Sequence, residues 1–137
     1  MTDGYNVVAR RPTADELITL RTLAGLSPKS REAAERGVAG TLFGVVVTHD
    51  GEAVGMGRVV GDGGTVYQIV DMAVLPEHQG RGLGKQIMAA LMDWLHREAP
   101  RTAYVSLIAD GPAKHLYAKF GFEDVSPRSI GMGLFLR

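Results

Sequence analysis

The stretch PEHQGRGLGKQ, Pro76 to Gln86, decides the fold. Gly80, Gly82 and Gly84 alternate there with Arg81, Leu83 and Lys85. An apolar, β-branched run, TVYQIVDMAVL (65–75), leads into it. An amphipathic run follows, with Leu83, Ile87, Met88, Leu91, Trp94 and Leu95 on one stripe. The glycines therefore sit between a strand and the first turn of a helix. The opening N–H groups of a helix have no internal partner, and the helix dipole places about half a positive charge beside them. Glycine lets a ligand approach the main chain closely and takes positive φ without strain. Arg81 and Lys85 add charge. The chemistry such a turn serves is binding of phosphate or diphosphate, mainly by backbone.

Two familiar phosphate loops do not fit. G-x-x-x-x-G-K-[ST] fails because Gly80 and Gly84 are one residue too close and Gln86 stands where the hydroxyl belongs. G-x-G-x-x-G fails because Lys85 occupies the third glycine position.

Upstream of the strand run lie two more of the same texture, TLFGVVV (41–47) and EAVGMGRVV (52–60). His49-Asp50-Gly51 and Gly61-Asp62-Gly63-Gly64 separate the three runs and are strong turn signals, so an antiparallel meander is expected. Towards the N-terminus, YNVVA (5–9) reads as a short strand. Thr13 and Glu16 have capping-box spacing ahead of Leu17, Ile18, Leu20 and Leu23, and Gly25 is a natural stop. Ser27-Pro28 offers a second helix start before the polar run KSREAAERG. Downstream, AYVSLIA (103–109) reads as a buried strand. Asp110-Gly111-Pro112 opens a short helix to about Phe120, Gly121 ends it, and IGMGLFL (130–136) closes as a strand. The expected order is βααβββαβαβ, an α/β (α+β) fold with a mixed, mostly antiparallel sheet, and residues 1–137 are expected to form one domain.

Bulk properties narrow the function. The chain has 137 residues, with 45% hydrophobic and 22% charged, enough for one core. Its net charge is zero, which argues against a nucleic-acid binder. It has no cysteine, so thiolate metal sites, disulfides and cysteine nucleophiles are excluded. The four histidines, His49, His78, His96 and His115, have no metal-ligand spacing and read as turn or surface residues, so no metal is expected. No G-x-S-x-G motif supplies a serine nucleophile. No run approaches the ~20 apolar residues of a membrane span, and the N-terminus lacks the apolar core of a signal peptide. A cytoplasmic location with no membrane association is the expectation.

Gln79, Gly82 and Gly84 fit the pattern Q-x-x-G-x-G without adjustment. That loop resembles the acetyl-CoA pyrophosphate loop of the GNAT superfamily of N-acetyltransferases. Two further stretches carry the likeness: Asp71-Met72-Ala73-Val74-Leu75-Pro76 just before the loop, and Leu116-Tyr117-Ala118-Lys119-Phe120-Gly121-Phe122 near the end. The element order is also that of the GNAT fold, in which a central strand pair splays apart. The run GRVVGD (57–62), Asp71, the loop, LIAD (107–110) and GMG (131–133) look most like a subgroup of plastid acetyltransferases and their small bacterial relatives. Those enzymes act on serotonin-type arylalkylamines and on lysine side chains.

The resemblance implies acetyl-CoA as cosubstrate and direct transfer of its acetyl group to a primary amine, most simply a small, arylalkyl one. It implies that the backbone of Met72, Ala73 and Val74 holds the pantetheine arm. The N–H groups of Gln79, Gly80, Arg81, Gly82, Leu83, Gly84 and Lys85 would hold the pyrophosphate. Tyr117 matches the general acid that protonates the departing thiolate. A free thiol titrates near 8.5 and a phenol near 10, so a phenol held near the sulfur can donate late in the step. For the general base, Asp71 is the best-placed carboxylate, with a water near Gln68 as the other reading; Asp71 can equally be a structural acceptor. Asp110 stands where many members have an asparagine that touches the CoA arm, and it can serve as a helix cap instead. An acceptor site is expected from residues 21–43 and the last strand, with Phe43, Tyr67 and Phe135 as candidate aromatic walls. Two other functions fit the same motifs, a protein lysine or N-terminal acetyltransferase and a non-catalytic CoA-binding module. The apolar end, GMGLFLR, would permit a homodimer.

Overall fold

The computed structural model describes residues 4–136. Residues up to Leu107 form one unit and residues from Ile108 a second. The first unit contains β1 (Tyr5–Ala9), α1 (Ala14–Leu23), α2 (Arg31–Ala39), β2 (Phe43–His49), β3 (Glu52–Gly61), β4 (Val66–Val74), a short 3-10 turn (Pro76–His78), α3 (Leu83–Glu98) and β5 (Tyr104–Ser106). The sheet order is β1-β2-β3-β4-β5, with β1 to β4 antiparallel in sequence and β5 parallel to β4. The expected meander is present, with Asp50-Gly51 and the 61–64 segment as its turns.

Each face of the sheet is covered by helix. Leu17, Leu20 and Ala34 of α1 and α2 pack with Met56 and Ala73. On the other face α3 buries Leu83, Ile87, Met88, Leu91 and Leu95, as its stripe predicts. Its approach depends on Gly57. A Cβ there would lie 2.7 Å from Ile87 and 3.0 Å from Leu91, closer than real side chains pack. The α1 capping box forms as read, with Thr13 Oγ1 accepting from the Glu16 N–H and Glu16 Oε1 accepting from the Thr13 N–H. The start of α2 is a correction: Ser30, not Ser27, caps it through the Ala33 N–H. Ser27 is instead engaged by Arg21.

The second unit contains α4 (Ala113–Ala118), and beyond it no helix or strand occurs among the described residues. The expected strand over 130–136 is therefore a correction, and β5 is shorter than the run 103–109 suggested. The 130–136 run has apolar, strand-like texture, but texture alone does not make a strand. Gly131 and Gly133 weaken it further, since glycine gives up the most backbone freedom on ordering. Ile130, Met132, Leu134, Phe135 and Leu136 are all exposed.

Candidate active site

The site in the first unit is built on β4, where its pairing changes. β4 pairs with β5 only at Val66, Tyr67 and Gln68, so from Ile69 to Val74 its β5 side is unpaired. On the β3 side the register slips between Met56 and Arg58, placing one extra β4 residue against that step. The bulge carries Asp71 at φ +58, a left-handed backbone that aspartate tolerates better than most residues. The result is a strand with one open edge, bent by a bulge within it and followed by the glycine turn. The expected splay is this opening.

At the glycine turn, Gly80 and Gly82 stand at φ +78 and +80, and a Cβ on either would meet nothing within 4 Å. Gly82 is the left-handed N-cap of α3 and offers no side chain to it. The first helical main-chain bond is Gln86 N–H to Gly82 carbonyl, 3.1 Å. Among the described residues no backbone carbonyl accepts from the N–H groups of Gly80, Arg81, Gly82, Leu83, Gly84 or Lys85. Six successive donors at a helix N-terminus, with open space over the glycines, match what a pyrophosphate needs. Gln79 departs from expectation. Its N–H donates to the Pro76 carbonyl at 3.2 Å, and its side-chain Nε2 donates to the Val74 carbonyl at 3.0 Å. The Leu75 N–H of the same peptide unit donates to Val54, so the Val74 carbonyl faces away from β3, onto the open edge. Gln79 thus pins the loop to the end of that edge.

A cluster that sequence reading missed holds the entrance to the turn. The Tyr5 hydroxyl lies 2.6 Å from His78 Nδ1, the His49 and His78 rings flank Tyr5, and the Arg81 guanidinium sits 5.9 Å from the Tyr5 ring centre. Tyr5 is buried although it lies on the edge strand β1. Its position in YNVVA read only as strand, and a contact 73 residues away leaves no local signal.

At the bulge, the Asp71 side chain is held almost out of solvent between two arginines. Its Oδ1 accepts from Arg21 Nη1, and its Oδ2 accepts from Arg58 Nε at 2.8 Å. Gln68 is half-buried on the paired part of β4. Phe43 stacks on Trp94 at 5.3 Å and Tyr67 meets the same indole edge-on at 6.3 Å. Those two aromatics pack against Trp94 of α3. Phe135 is exposed. No group of three or more histidine, aspartate or glutamate side chains is arranged to hold a metal among the described residues, and no described helix is long and apolar enough to cross a membrane.

In the second unit, Tyr117 is buried on α4. Burial, and then the negative charge of Asp110, push its phenol above the ordinary value of 10.0. Asp110 is exposed and does not cap α4 with its side chain; Pro112 holds the cap position, and only the Asp110 carbonyl is used, accepting from Ala113 N–H. The first turn is served by main chain instead, with the His115 N–H donating to the Pro112 carbonyl at 3.0 Å.

Residues 40–124 match the acetyltransferase (GNAT) domain. A Staphylococcus aureus protein of unknown function, classed among acetyltransferases, is 47% identical; the two superpose with a TM-score of 0.91 over 96% of this chain and 99% of that one. A GNAT-family protein from Xanthomonas campestris is 29% identical, with a TM-score of 0.70 over 96% and 94% of the two chains. The ribosomal protein bS18 alanine N-acetyltransferase of Haemophilus influenzae is 32% identical over 71 residues, 52% of this chain and 47% of that protein. The chain thus matches about half the length of that curated relative.

Proposed function

Because the chain belongs to the family of GNAT acetyltransferase domains, we propose that it is a single domain that transfers the acetyl group of acetyl-CoA directly to a primary amine. The observation that carries this reading is the row of unspent N–H groups from Gly80 to Lys85 beside the unpaired edge of β4. The open edge from Ile69 to Val74 suits an extended pantetheine arm, which pairs with main chain as an added strand would. Holding thioester and amine in one cleft makes the reaction effectively unimolecular.

Tyr117 is the general acid. The amine nitrogen attacks the thioester carbon, the carbon–sulfur bond breaks, and the leaving sulfur takes the phenolic proton. A phenol held above 10.0 is fully protonated at neutral pH, as a donor must be. The amine's proton leaves to a water oriented by Gln68. Asp71 is the weaker candidate for that role, since both its oxygens already accept from guanidinium groups.

The acceptor is a small amine, of the arylalkyl kind used by the plastid-type enzymes. The partial likeness to an enzyme of ribosomal-protein alanine supports a peptide N-terminus as the second reading. The exposed apolar run 130–136 favours a second copy of the chain as its cover, which sedimentation at several concentrations measures directly. The test of function is a melting scan with and without acetyl-CoA, read beside CoA release with tryptamine, a blocked lysine peptide and an alanyl-terminal peptide. A rise in melting with CoA release supports the enzyme and names the acceptor class. A rise without turnover favours the binding module, and no rise removes the cofactor reading.

A further inference from the structure

Three charged side chains meet at the β4 bulge and are almost wholly buried: the side chains of Arg21, Asp71 and Arg58 are 11%, 7% and 10% exposed. Buried ion pairs are expensive to desolvate, and removing one partner leaves an uncompensated charge. Such a group is weak evidence for stability and better evidence for a fixed geometry, because guanidinium forks hold their acceptors in defined directions.

What the two forks hold beyond Asp71 is informative. Arg21, from α1, also donates from Nε to the Ser27 carbonyl at 2.9 Å and from Nη2 to Ser27 Oγ at 2.8 Å. Arg58, from β3, donates from Nη1 to the Gly37 carbonyl and to Thr41 Oγ1, both at 2.9 Å. One arginine therefore ties the α1–α2 connection to Asp71, and the other ties the end of α2 and its exit to the same carboxylate. Asp71 in turn sits in the bulge within the unpaired edge of β4.

We propose that Arg21, Asp71 and Arg58 are positioning residues for the acceptor amine, fixing the 24–30 connection and the α2 exit in register with the strand edge that receives the thioester. This rests on the transfer reading above and deepens it. Asp71 acts here as the shared anchor of two cations, and the proton of the amine goes elsewhere.

The test uses Arg58→Lys, Thr41→Val and Asp71→Asn in the full chain. Thr41→Val removes one acceptor without unpairing a charge, so it keeps the test open if a charged-site variant does not fold. The wild-type acetyl-CoA melting shift is measured first, and its absence would count against the transfer reading alone. For the variants, the acetyl-CoA shift should stay as in wild type while backbone amides exchange faster, at 24–30 in Asp71→Asn, which releases Arg21, and at the α2 exit in Arg58→Lys and Thr41→Val. With whichever amine of the panel the wild type turns over fastest, KM for the amine should rise by about tenfold while kcat falls less, as expected when placement is lost and chemistry is kept. Arg58→Lys and Asp71→Asn together should cost little more than either alone, since both break one unit. The inference is overturned if Asp71→Asn lowers kcat at constant amine KM while Arg58→Lys stays active, which is the behaviour of a base. Unchanged exchange at 24–30 in Asp71→Asn, or at the α2 exit in the other two variants, would overturn it too.

Discussion

The bulge within the open edge of β4 and the glycine turn after it are built by opposite means. At the bulge, side chains do the holding: three buried charges and the hydroxyls of Ser27 and Thr41 are matched donor to acceptor. At the glycine turn, Gly80, Gly82 and Gly84 offer no side chain, and among the described residues six main-chain donors from Gly80 to Lys85 have no backbone acceptor. A saturated cluster can fix a shape but has little left to give a ligand. An unsaturated turn has its hydrogen-bonding capacity in reserve and pays for it in rigidity, so it borrows support from Gln79 on the Val74 carbonyl and from Tyr5 on His78. On the readings proposed above, the same strand carries a positioning part and a binding part.

The sharpest way to break that contrast is Gly82→Val. A β-branched residue at φ +80 is strained, and its side chain would enter the space over the N–H row. Acetyl-CoA at 100 times its Kd should stabilise the wild type by roughly 2.7 kcal/mol, and the variant should show no shift in a melting scan. The bulge should be untouched, with exchange at 24–30 as in wild type.

Tyr117→Phe should leave both parts intact and lower kcat by about a hundredfold or more, the range for losing a general acid, with the acetyl-CoA melting shift retained. The sign of its pH dependence follows from the raised phenol. The active form is the protonated one, so the wild-type kcat should hold through neutral and mildly alkaline pH and fall only above 10.0, the ordinary value for tyrosine. The phenylalanine variant should lack that alkaline limb.

Tyr5→Phe removes the hydroxyl that lies 2.6 Å from His78 and keeps the ring under Arg81. Loss of one such bond is worth about 1 kcal/mol, so KM for acetyl-CoA should rise about fivefold with kcat nearly constant. An equal effect on the amine KM would show that the two parts are not separate. Thr13→Ala is the smallest change and the control. It removes the hydroxyl that accepts from the Glu16 N–H at 3.1 Å and should lower stability by about 1 kcal/mol in chemical denaturation, with neither KM altered.

Much of this molecule is written locally. The Thr13–Glu16 box, the α3 stripe and the paired turns of the meander rest on neighbours in sequence or on a period of two or 3.6 residues. The chain therefore declares them before it folds. The glycine turn is equally local, because backbone freedom and helix-end donors belong to that segment alone. The apolar runs were less decisive. TVYQIVDMAVL and IGMGLFL read alike as strands, yet the first forms β4 against β3 and β5, while the second has no strand. A strand is a relation between segments, and composition names only one party to it.

What tertiary structure alone decided is where distant polar groups meet. Ser27 reads as a helix cap and serves Arg21; Asp71 reads equally as a base or a structural acceptor and is shared by Arg21 and Arg58, 50 and 13 residues away; Tyr5 reads as strand and steadies a turn 73 residues on. Buried polar groups must find partners wherever the packed chain brings them. The sequence by itself determined the meander, the α3 stripe, the glycine turn and the family. The fold decided which charges are spent on holding the site and which donors are left free for a ligand, because desolvation makes every buried hydrogen bond a choice among groups that only packing brings within reach.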